Sequence, residues 1–486
     1  MTSTTDQINL VGLIPKSAYG ACLARIGYFS NDEGKQMKEL NFNSRFLRFS
    51  HGHEVSEKGA TIAGDEPYIT WNDGKPEVVL SRPEHAKDFY GRATKGLHLL
   101  SIASDNPLTF EGHEKPSHMG MGPYFDRVLG YSVGVLNGDK WKTMRRVFDP
   151  HLAHQMAMDF RPRFSREVAA WMEALPSTWG KTADGPSDSG FVVDASTACK
   201  ILPFKLVALA LYKDALSDSA FEELLALNAL HEKLMFKVFF GSSERSRLFT
   251  LLPSQAKRQM NEFERKWRAF NLKMVQSAER FLHTIDEILF ANIDVTSSVL
   301  AFLLINLARS VAAQTDLRAE ILEHTADSEA YIQKTDTLLE YTCMESIRLC
   351  PAAWFSLPEH ATSDMTVGGY LVPAGTPCIM DWWRLNTQSP VWNTENVSGT
   401  TFWPRRFQSV TSQEYRWSFL RFGLGSRKCI GKNFSAVIMK TFLVAVLKEW
   451  KLQTVGLTRE EELEMVETRK DRFTVTPDQR VAFARV

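Results

Sequence analysis

Hydrophobic and polar positions along the chain divide it into a short β-rich stretch followed by long helical ones. After Pro67, the runs Tyr68-Ile69-Thr70-Trp71 and Glu77-Val78-Val79-Leu80 flank Asn72 to Pro76, whose Asp73-Gly74 step predicts a hairpin. Ser81-Arg82-Pro83-Glu84 then starts a helix, with serine near the cap and proline in the first turn. Residues 100–130 mix Gly, Pro, Met and Phe without a period, which predicts a long loop of the kind that often serves function. Gly138-Asp139-Lys140-Trp141 opens another helix, with Trp141 and Arg145 one turn apart on the same face. From 151 to 280 the pattern is mainly helical, interrupted by a Ser/Gly/Asp-rich loop at 176–190. Residues 278–310 carry the longest helical pattern, apolar on nearly all faces from Ile285 to Leu307. Such a helix is buried in a large protein. A last amphipathic helix is expected from Lys432 to Trp450, with Phe434, Val437, Ile438, Phe442 and Leu447 inward. No repeat or linker divides the chain, and a single domain over 1–486 is expected.

Composition narrows the class. With 44% hydrophobic and 23% charged residues the chain is an ordinary globular protein. Its 57 basic and 57 acidic side chains cancel, which argues against nucleic-acid binding. The six cysteines (Cys22, Cys199, Cys343, Cys350, Cys378, Cys429) are scattered, as expected of reduced thiols in the cytosol. No run reaches the roughly 18 apolar residues of a membrane span, and Met1 to Leu10 lacks the pattern of a signal peptide. The expectation is a monomer that is not secreted, either cytoplasmic or peripheral on the cytosolic face of a membrane, with no membrane anchor evident unless one has been removed.

The most chemically specified segment is Phe422-Gly423-Leu424-Gly425-Ser426-Arg427-Lys428-Cys429-Ile430-Gly431. A lone cysteine between glycines is most often an inert buried thiol. A phosphate loop fails here, because five residues separate Gly425 from Gly431 and Asn433 stands where Ser or Thr is required. A different reading makes Cys429 the axial thiolate of a haem, a ligand that pushes electron density towards the iron and favours O–O cleavage. Backbone N–H groups, nearby cations and the start of the next helix would keep the sulfur anionic. Phe422 would cover the sulfur, Gly423 and Gly431 would let the backbone turn beside it, and Arg427 could reach a propionate.

This segment matches the Phe-x-x-Gly-x-Arg-x-Cys-x-Gly loop of cytochrome P450s at every defined position, and the chain resembles that family elsewhere too. Trp141 and Arg145 resemble the family's Trp-x-x-x-Arg helix, which hydrogen-bonds a propionate. Glu345-Ser346-Ile347-Arg348 with Phe402-Trp403-Pro404-Arg405-Arg406-Phe407 resembles the buried Glu-x-x-Arg pair bridged by a second arginine, here Arg406. These three charges are assigned a structural role behind the Cys429 loop. Gly369 to Thr376 looks like the family's hairpin before that loop. The resemblance implies a mainly α fold with small β-sheet regions, haem b between the long central helix and the Cys-loop helix, and a separate NADPH-dependent reductase. Lys142, Arg146, Lys428 and Lys432 are candidates for the surface on which that reductase docks.

Two departures bear on the reaction. The family's central helix reads Ala/Gly-Gly-x-Asp/Glu-Thr-Thr/Ser, whereas this chain reads Ala291-Asn292-Ile293-Asp294-Val295-Thr296, with Val295 where the proton-relaying threonine belongs. Asp294, Thr296 and Asn292 are the catalytic candidates. Thr296 would point about 100° away from the usual position on a regular helix. The expected activity is oxidation of a small, largely apolar or aromatic metabolite by hydroxylation, or by oxidative ring formation or coupling. The alternatives are a haem-thiolate isomerase or dehydratase acting on a peroxide without a reductase and, more distantly, a haem sensor. Such Asn-Ile-Asp-Val-Thr helices point to fungal secondary metabolism. The second departure is His360, which follows Pro358-Glu359 where the family carries a propionate-binding arginine; it is either that donor or a surface histidine. By resemblance the substrate pocket draws on Phe110, Met119, Met121, Phe290, Asn292, Val295, Trp354 and Phe355.

Overall fold

The computed structural model describes residues 27–72, 75–100, 113–116, 119, 123–179, 190–240, 253–275, 281–290, 293–394, 396–472 and 474–486. Helices dominate, and the strands are β1 (Lys38–Asn43), β2 (Tyr68–Asn72), β3 (Lys75–Leu80), β4 (Phe191–Asp194), β5 (Met365–Val367), β6 (Tyr370–Val372), β7 (Cys378–Met380), β8 (Trp450–Thr454) and β9 (Arg480–Arg485). They form sheets ordered β1-β2-β3-β7, β4-β9-β8 and β5-β6. The fold class is the expected one.

The predicted hairpin is present, with Tyr68 opposite Val79 and Asn72 opposite Lys75. β3 pairs in parallel with β7 on its other edge. Val78, Val79 and Leu80 are therefore buried on both faces of the sheet, and the run reads as continuous rather than alternating. The second hairpin lies four residues earlier than the pattern placed it. Gly368 and Gly369 form its turn at φ 56° and 85°, and Met365 faces Val372 across β5 and β6. Two successive left-handed residues suit the twist of a tight hairpin, which only glycines adopt without strain.

Several helix boundaries differ from the periodicity. Within the predicted 100–130 loop, Pro123–Val128 is a short helix. The helix His154–Trp179 runs through Pro162 and Pro176 into the stretch read as a loop. It is held there by packing along the helix Lys432–Glu449: Phe164 and Phe160 stand 6.0 Å from Phe434, and Trp171 stands 5.2 Å from Phe442. Tertiary contact outweighs local propensity at such positions. Just beyond it, β4 interrupts the helical region because Phe191 stacks on Phe483 of β9 at 5.0 Å. Lys432–Glu449 begins as predicted and buries all five expected apolar residues. It is covered on nearly every side, however, and Lys440 is buried by pairing with Glu340 at 2.8 Å and donating to the Ile332 and Lys334 carbonyls.

Within the long central pattern the described helical runs are Leu282–Leu289 and Ile293–Arg309. The Ile293 N–H reaches back three residues, to the Phe290 carbonyl at 3.4 Å. Ile293–Arg309 packs against Lys432–Glu449 and against the helix Leu338–Leu349. Two stretches, Ala195–Ala215 and Leu282–Arg309, are long and apolar enough to cross a membrane, contrary to the sequence reading; most of the second is buried inside the protein.

Candidate active site

The Cys429 loop is set by backbone geometry. Gly423 and Gly425 adopt φ 77° and 70°, which bend the chain back so that the Cys429 N–H donates to the Phe422 carbonyl at 2.9 Å. Gly425 lies under Tyr90, whose ring would stand 3.3 Å from an added Cβ. Cys429 has an accessible side chain yet lies deep among protein atoms, so its surface faces an internal space and not bulk solvent. Burial pushes its thiol up; the Gly431 N–H and the charges of Arg145 and Lys432 act in the opposite direction. A metal on the sulfur replaces that proton outright.

Around the loop, Trp141 lies between two guanidiniums, Arg427 at 4.9 Å and Arg145 at 5.9 Å from its ring centre. Arg145 donates to the Lys428 carbonyl at 3.0 Å and pairs with Asp149 at 2.9 Å. Arg427 spends Nε on the His113 carbonyl at 3.0 Å and Nη2 on the Leu136 carbonyl at 2.8 Å and on Asn137 Oδ1. Trp141 Nε1 and Arg427 Nη1 have no protein acceptor among the described residues. An internal space beside a thiol, with an indole N–H and a guanidinium edge available nearby, fits a haem and its carboxylates. His360 exchanges backbone hydrogen bonds with Glu114 at 2.9 Å, and its charge acts on His113, as that of Arg427 does. It therefore belongs to this neighbourhood. His113, stacked on Phe89 at 4.1 Å, was missed by the sequence reading because no local motif marks it.

Glu345, Arg348 and Arg406 are completely buried. Arg348 grips Glu345 with two bonds of 2.7 and 2.8 Å, and Arg406 reaches it at 3.3 Å. The Trp403 N–H adds a bond to the same carboxylate at 3.0 Å. The two guanidiniums also serve the carbonyls of Asn386, Gly399, Trp392, Ser398 and Thr401. Buried charges persist only when paired and hydrogen-bonded in this way. The cluster ties the helix Leu338–Leu349 to the 392–406 segment, which leads to the Cys429 loop.

On the helix Ile293–Arg309, Val295, Thr296 and Val299 are the half-buried positions beyond Asp294 before the helix closes over. They span an arc of about 100° at 3.6 residues per turn. Asp294 lies outside that arc, on a cavity of about 500 Å³ lined by Glu232, Lys233, Lys237 and Arg472. Burial raises its carboxyl, Lys200 and Arg472 lower it, and Glu232 raises it. Of three successive hydroxyls, Ser297 bonds the Ile293 carbonyl at 2.6 Å and Ser298 meets Thr476 at 3.2 Å. Thr296 has no hydrogen-bond partner among the described residues. Asn292, Phe110 and Met121 lie outside the described residues.

Four pocket candidates prove to be packed core. Phe290 is ringed by His231 at 4.7 Å, Trp267 at 4.8 Å, Phe204 at 5.9 Å and Phe263 at 6.0 Å. Trp354 packs on Trp383 at 5.8 Å and on His53 at 5.7 Å. Phe355 and Met119 are likewise buried. An apolar run reveals that a side chain is covered, not by what.

A sequence model described as cytochrome P450 matches residues 276–477. The chain is 35% identical over 451 residues to cytochrome P450 monooxygenase lepD of Aspergillus flavus, covering 87% of this chain and 85% of the relative. It is 33% identical to cytochrome P450 monooxygenase apdB of Emericella nidulans, over 92% of this chain and 91% of the relative. To cytochrome P450 monooxygenase opdB of Penicillium oxalicum it is 32% identical, over 89% and 87%.

The chain belongs to the cytochrome P450 family.

It is therefore an oxidoreductase of a haem family, and the fungal sources of these relatives agree with the expectation drawn from residues 291–296. P450s receive electrons from redox partners, and the loop side of this one is basic. Lys428 is lowered first by burial, then by the charges of Lys432, Arg416 and Arg421, so four cations cluster there. Arg416 and Arg421 were not marked by the sequence reading. Lys142 is partly answered by Asp139 at 3.3 Å.

Proposed function

We propose that this P450 is a monooxygenase that holds haem b through Cys429 and oxidises a small, largely apolar metabolite by hydroxylation or by ring formation or coupling. The observation that carries it is the Cys429 sulfur, deep in the protein, opening on an internal space and facing the Gly431 N–H. Bound there, haem supplies thiolate-ligated iron, which favours O–O cleavage. Trp141, Arg427, Arg145, His113 and His360 form the polar rim for its carboxylates. Phe422, half-buried beneath the Arg421 guanidinium at 5.6 Å, covers the sulfur side. Thr296, whose hydroxyl has no partner among the described residues, holds the proton nearest the reaction, and Asp294 draws protons from the charged cavity behind it. Lys428, Lys432, Arg416 and Arg421 dock a separate, acidic NADPH-dependent reductase. The setting in keeping with such a reductase is the cytoplasm or the cytosolic face of a membrane, with the enzyme acting as a monomer.

A Thr296 hydroxyl with no partner among the described residues supports this reading over a reductase-free isomerase or dehydratase. The test has two stages. The ferrous carbon monoxide complex should show the red-shifted band of thiolate ligation, and Cys429→Ser should lose it. Turnover should then require reductase and NADPH; efficient turnover of a hydroperoxide without them would establish the isomerase reading instead. Oxygen-18 labelling separates insertion, which labels the product, from ring formation or coupling, which does not.

A further inference from the structure

The helix Leu338–Leu349 carries a second buried carboxylate besides Glu345. Glu340, in its first turn, meets two cations: Oε2 pairs with Lys440 at 2.8 Å, and Oε1 accepts from Arg421 Nη1 at 3.0 Å. Lys440 is itself fixed by the Ile332 and Lys334 carbonyls. Burial pushes the Glu340 carboxyl up, but Lys440 and Arg421 outweigh it and hold the carboxyl below its ordinary range. A buried anion answered on both oxygens keeps its place and its charge.

Arg421 carries that anchor to the Cys429 loop. Its side chain is 35% exposed, against 9% for Glu340, and it immediately precedes Phe422. Its guanidinium lies 5.7 Å from the ring centre of Phe419 and 5.6 Å from that of Phe422, both within cation–π range. The two rings are held very differently. Phe419 is buried, with Trp392, Phe407 and Tyr415 each 5.7 Å away. Phe422 is half-buried, its carbonyl takes the Cys429 N–H at 2.9 Å, and the turn at Gly423 follows it at φ 77°. The arginine thus ties a loosely covered ring to a firmly packed one, and Glu340 holds the arginine.

We propose that Glu340 and Arg421 are positioning residues for the thiolate: the carboxylate holds the guanidinium against Phe422, which keeps that ring on the sulfur side of the Cys429 loop and water away from the sulfur. This rests on the proposed haem-thiolate function, in which Phe422 covers that side. Water that reached a thiolate would donate hydrogen bonds to it, draw electron density from its bond to iron and make the iron easier to reduce. The clamp therefore preserves the electron push that favours O–O cleavage. As a plain surface cation Arg421 would act in the opposite sense, because losing a nearby positive charge makes iron harder to reduce. The sign of the change in potential separates the two roles.

The test uses full-length haem-loaded protein, with the reduction potential read by spectroelectrochemical titration and the iron–sulfur stretching band by resonance Raman. Arg421→Ala should raise the potential and move the iron–sulfur band to lower frequency. Arg416→Ala removes a cation from the same face, since Arg416 and Arg421 both act on Lys428; it should lower the potential and leave the band in place. Glu340→Gln keeps the shape of the anchor without its charge and should move the band in the same direction as Arg421→Ala. If leaving Lys440 unanswered prevents that variant from folding, Arg421→Ala, at a half-buried position, decides alone. A potential that falls or stays constant in Arg421→Ala, or a band that keeps its wild-type frequency, overturns the proposal. A band moved by Arg421→Ala but not by folded Glu340→Gln overturns the role of Glu340. The wild-type carbon monoxide spectrum reports separately on the thiolate. Loss of its red-shifted band overturns the haem-thiolate reading, and an intact spectrum with an unmoved iron–sulfur band in the variants overturns only the clamp.

Discussion

Glutamine in place of Glu345 changes the buried cluster without changing its shape. Oε1 serves three donors, Arg348 Nη2 at 2.8 Å, Arg406 Nε at 3.3 Å and the Trp403 N–H at 3.0 Å; Oε2 serves Arg348 Nε at 2.7 Å. The amide oxygen will take the side with three donors, which turns its NH₂ towards Arg348 Nε–H, donor against donor. One charge-assisted bond is lost, on the order of 1.5–3 kcal/mol. Two fully buried guanidiniums also lose the anion between them, and breaking such a pair costs about 3–5 kcal/mol. The two effects overlap, so the expected loss is about 3–5 kcal/mol in total, a large share of the roughly 5–15 kcal/mol by which proteins are stable. An apolar replacement of all three charges will not rescue stability, because the carbonyls of Asn386, Gly399, Trp392, Ser398 and Thr401 would lose their donors. Urea unfolding of haem-loaded wild type and Glu345→Gln, followed by tryptophan fluorescence, measures the difference. Arg405→Gln is the control: its partner Asp316 is 2.9 Å away but both are largely exposed, so it should cost under about 1 kcal/mol. A loss below about 1 kcal/mol for Glu345→Gln would refute the reasoning.

The remaining predictions concern pH, proton delivery and docking. Burial pushes Asp381 from its ordinary 3.8 to about 6, against the Arg384 N–H and the Ser56 hydroxyl. A raised carboxyl means that the folded state binds the proton more tightly, so this contribution is greatest below pH 3.8 and is lost as pH rises through about 6. The loss is about 3 kcal/mol, and the difference in stability between wild type and Asp381→Asn across that window should show it; a difference independent of pH would refute it. Thr296→Val should lower product formed per NADPH by about 100-fold, with Ser297→Ala, whose hydroxyl is tied to the Ile293 carbonyl, as the unaffected control. Changing Lys428 and Arg416 to glutamate should slow reductase association at low salt and flatten its salt dependence, measured by stopped-flow reduction, while substrate affinity stays constant.

The parts read most directly from the sequence share a physical reason: each is specified within a few residues. The turn at Gly423, the one-turn spacing of Trp141 and Arg145, and Glu345 three residues before Arg348 are local constraints, and all appear in the structure, whereas the second left-handed glycine of the loop is Gly425 and not Gly431. The hairpin of β2 and β3 is local in the same sense. The covered side of Lys432–Glu449 was visible too, because the 3.6-residue period marks one face.

Only tertiary structure decided which groups meet across the chain. Arg427 was expected at a propionate; two of its nitrogens also fasten the 113 and 136–137 segments, nearly three hundred residues away, and no local pattern encodes such a partner. Phe290 read as pocket wall because apolar character shows that a residue is buried without showing what buries it; four aromatic neighbours from three other segments do so. The sequence determined the family, the Cys429 loop and the charges behind it, since those rest on short-range backbone and side-chain geometry. Folding decided what surrounds Asp294 and which segments Arg427 fastens, since those rest on which surfaces are brought face to face.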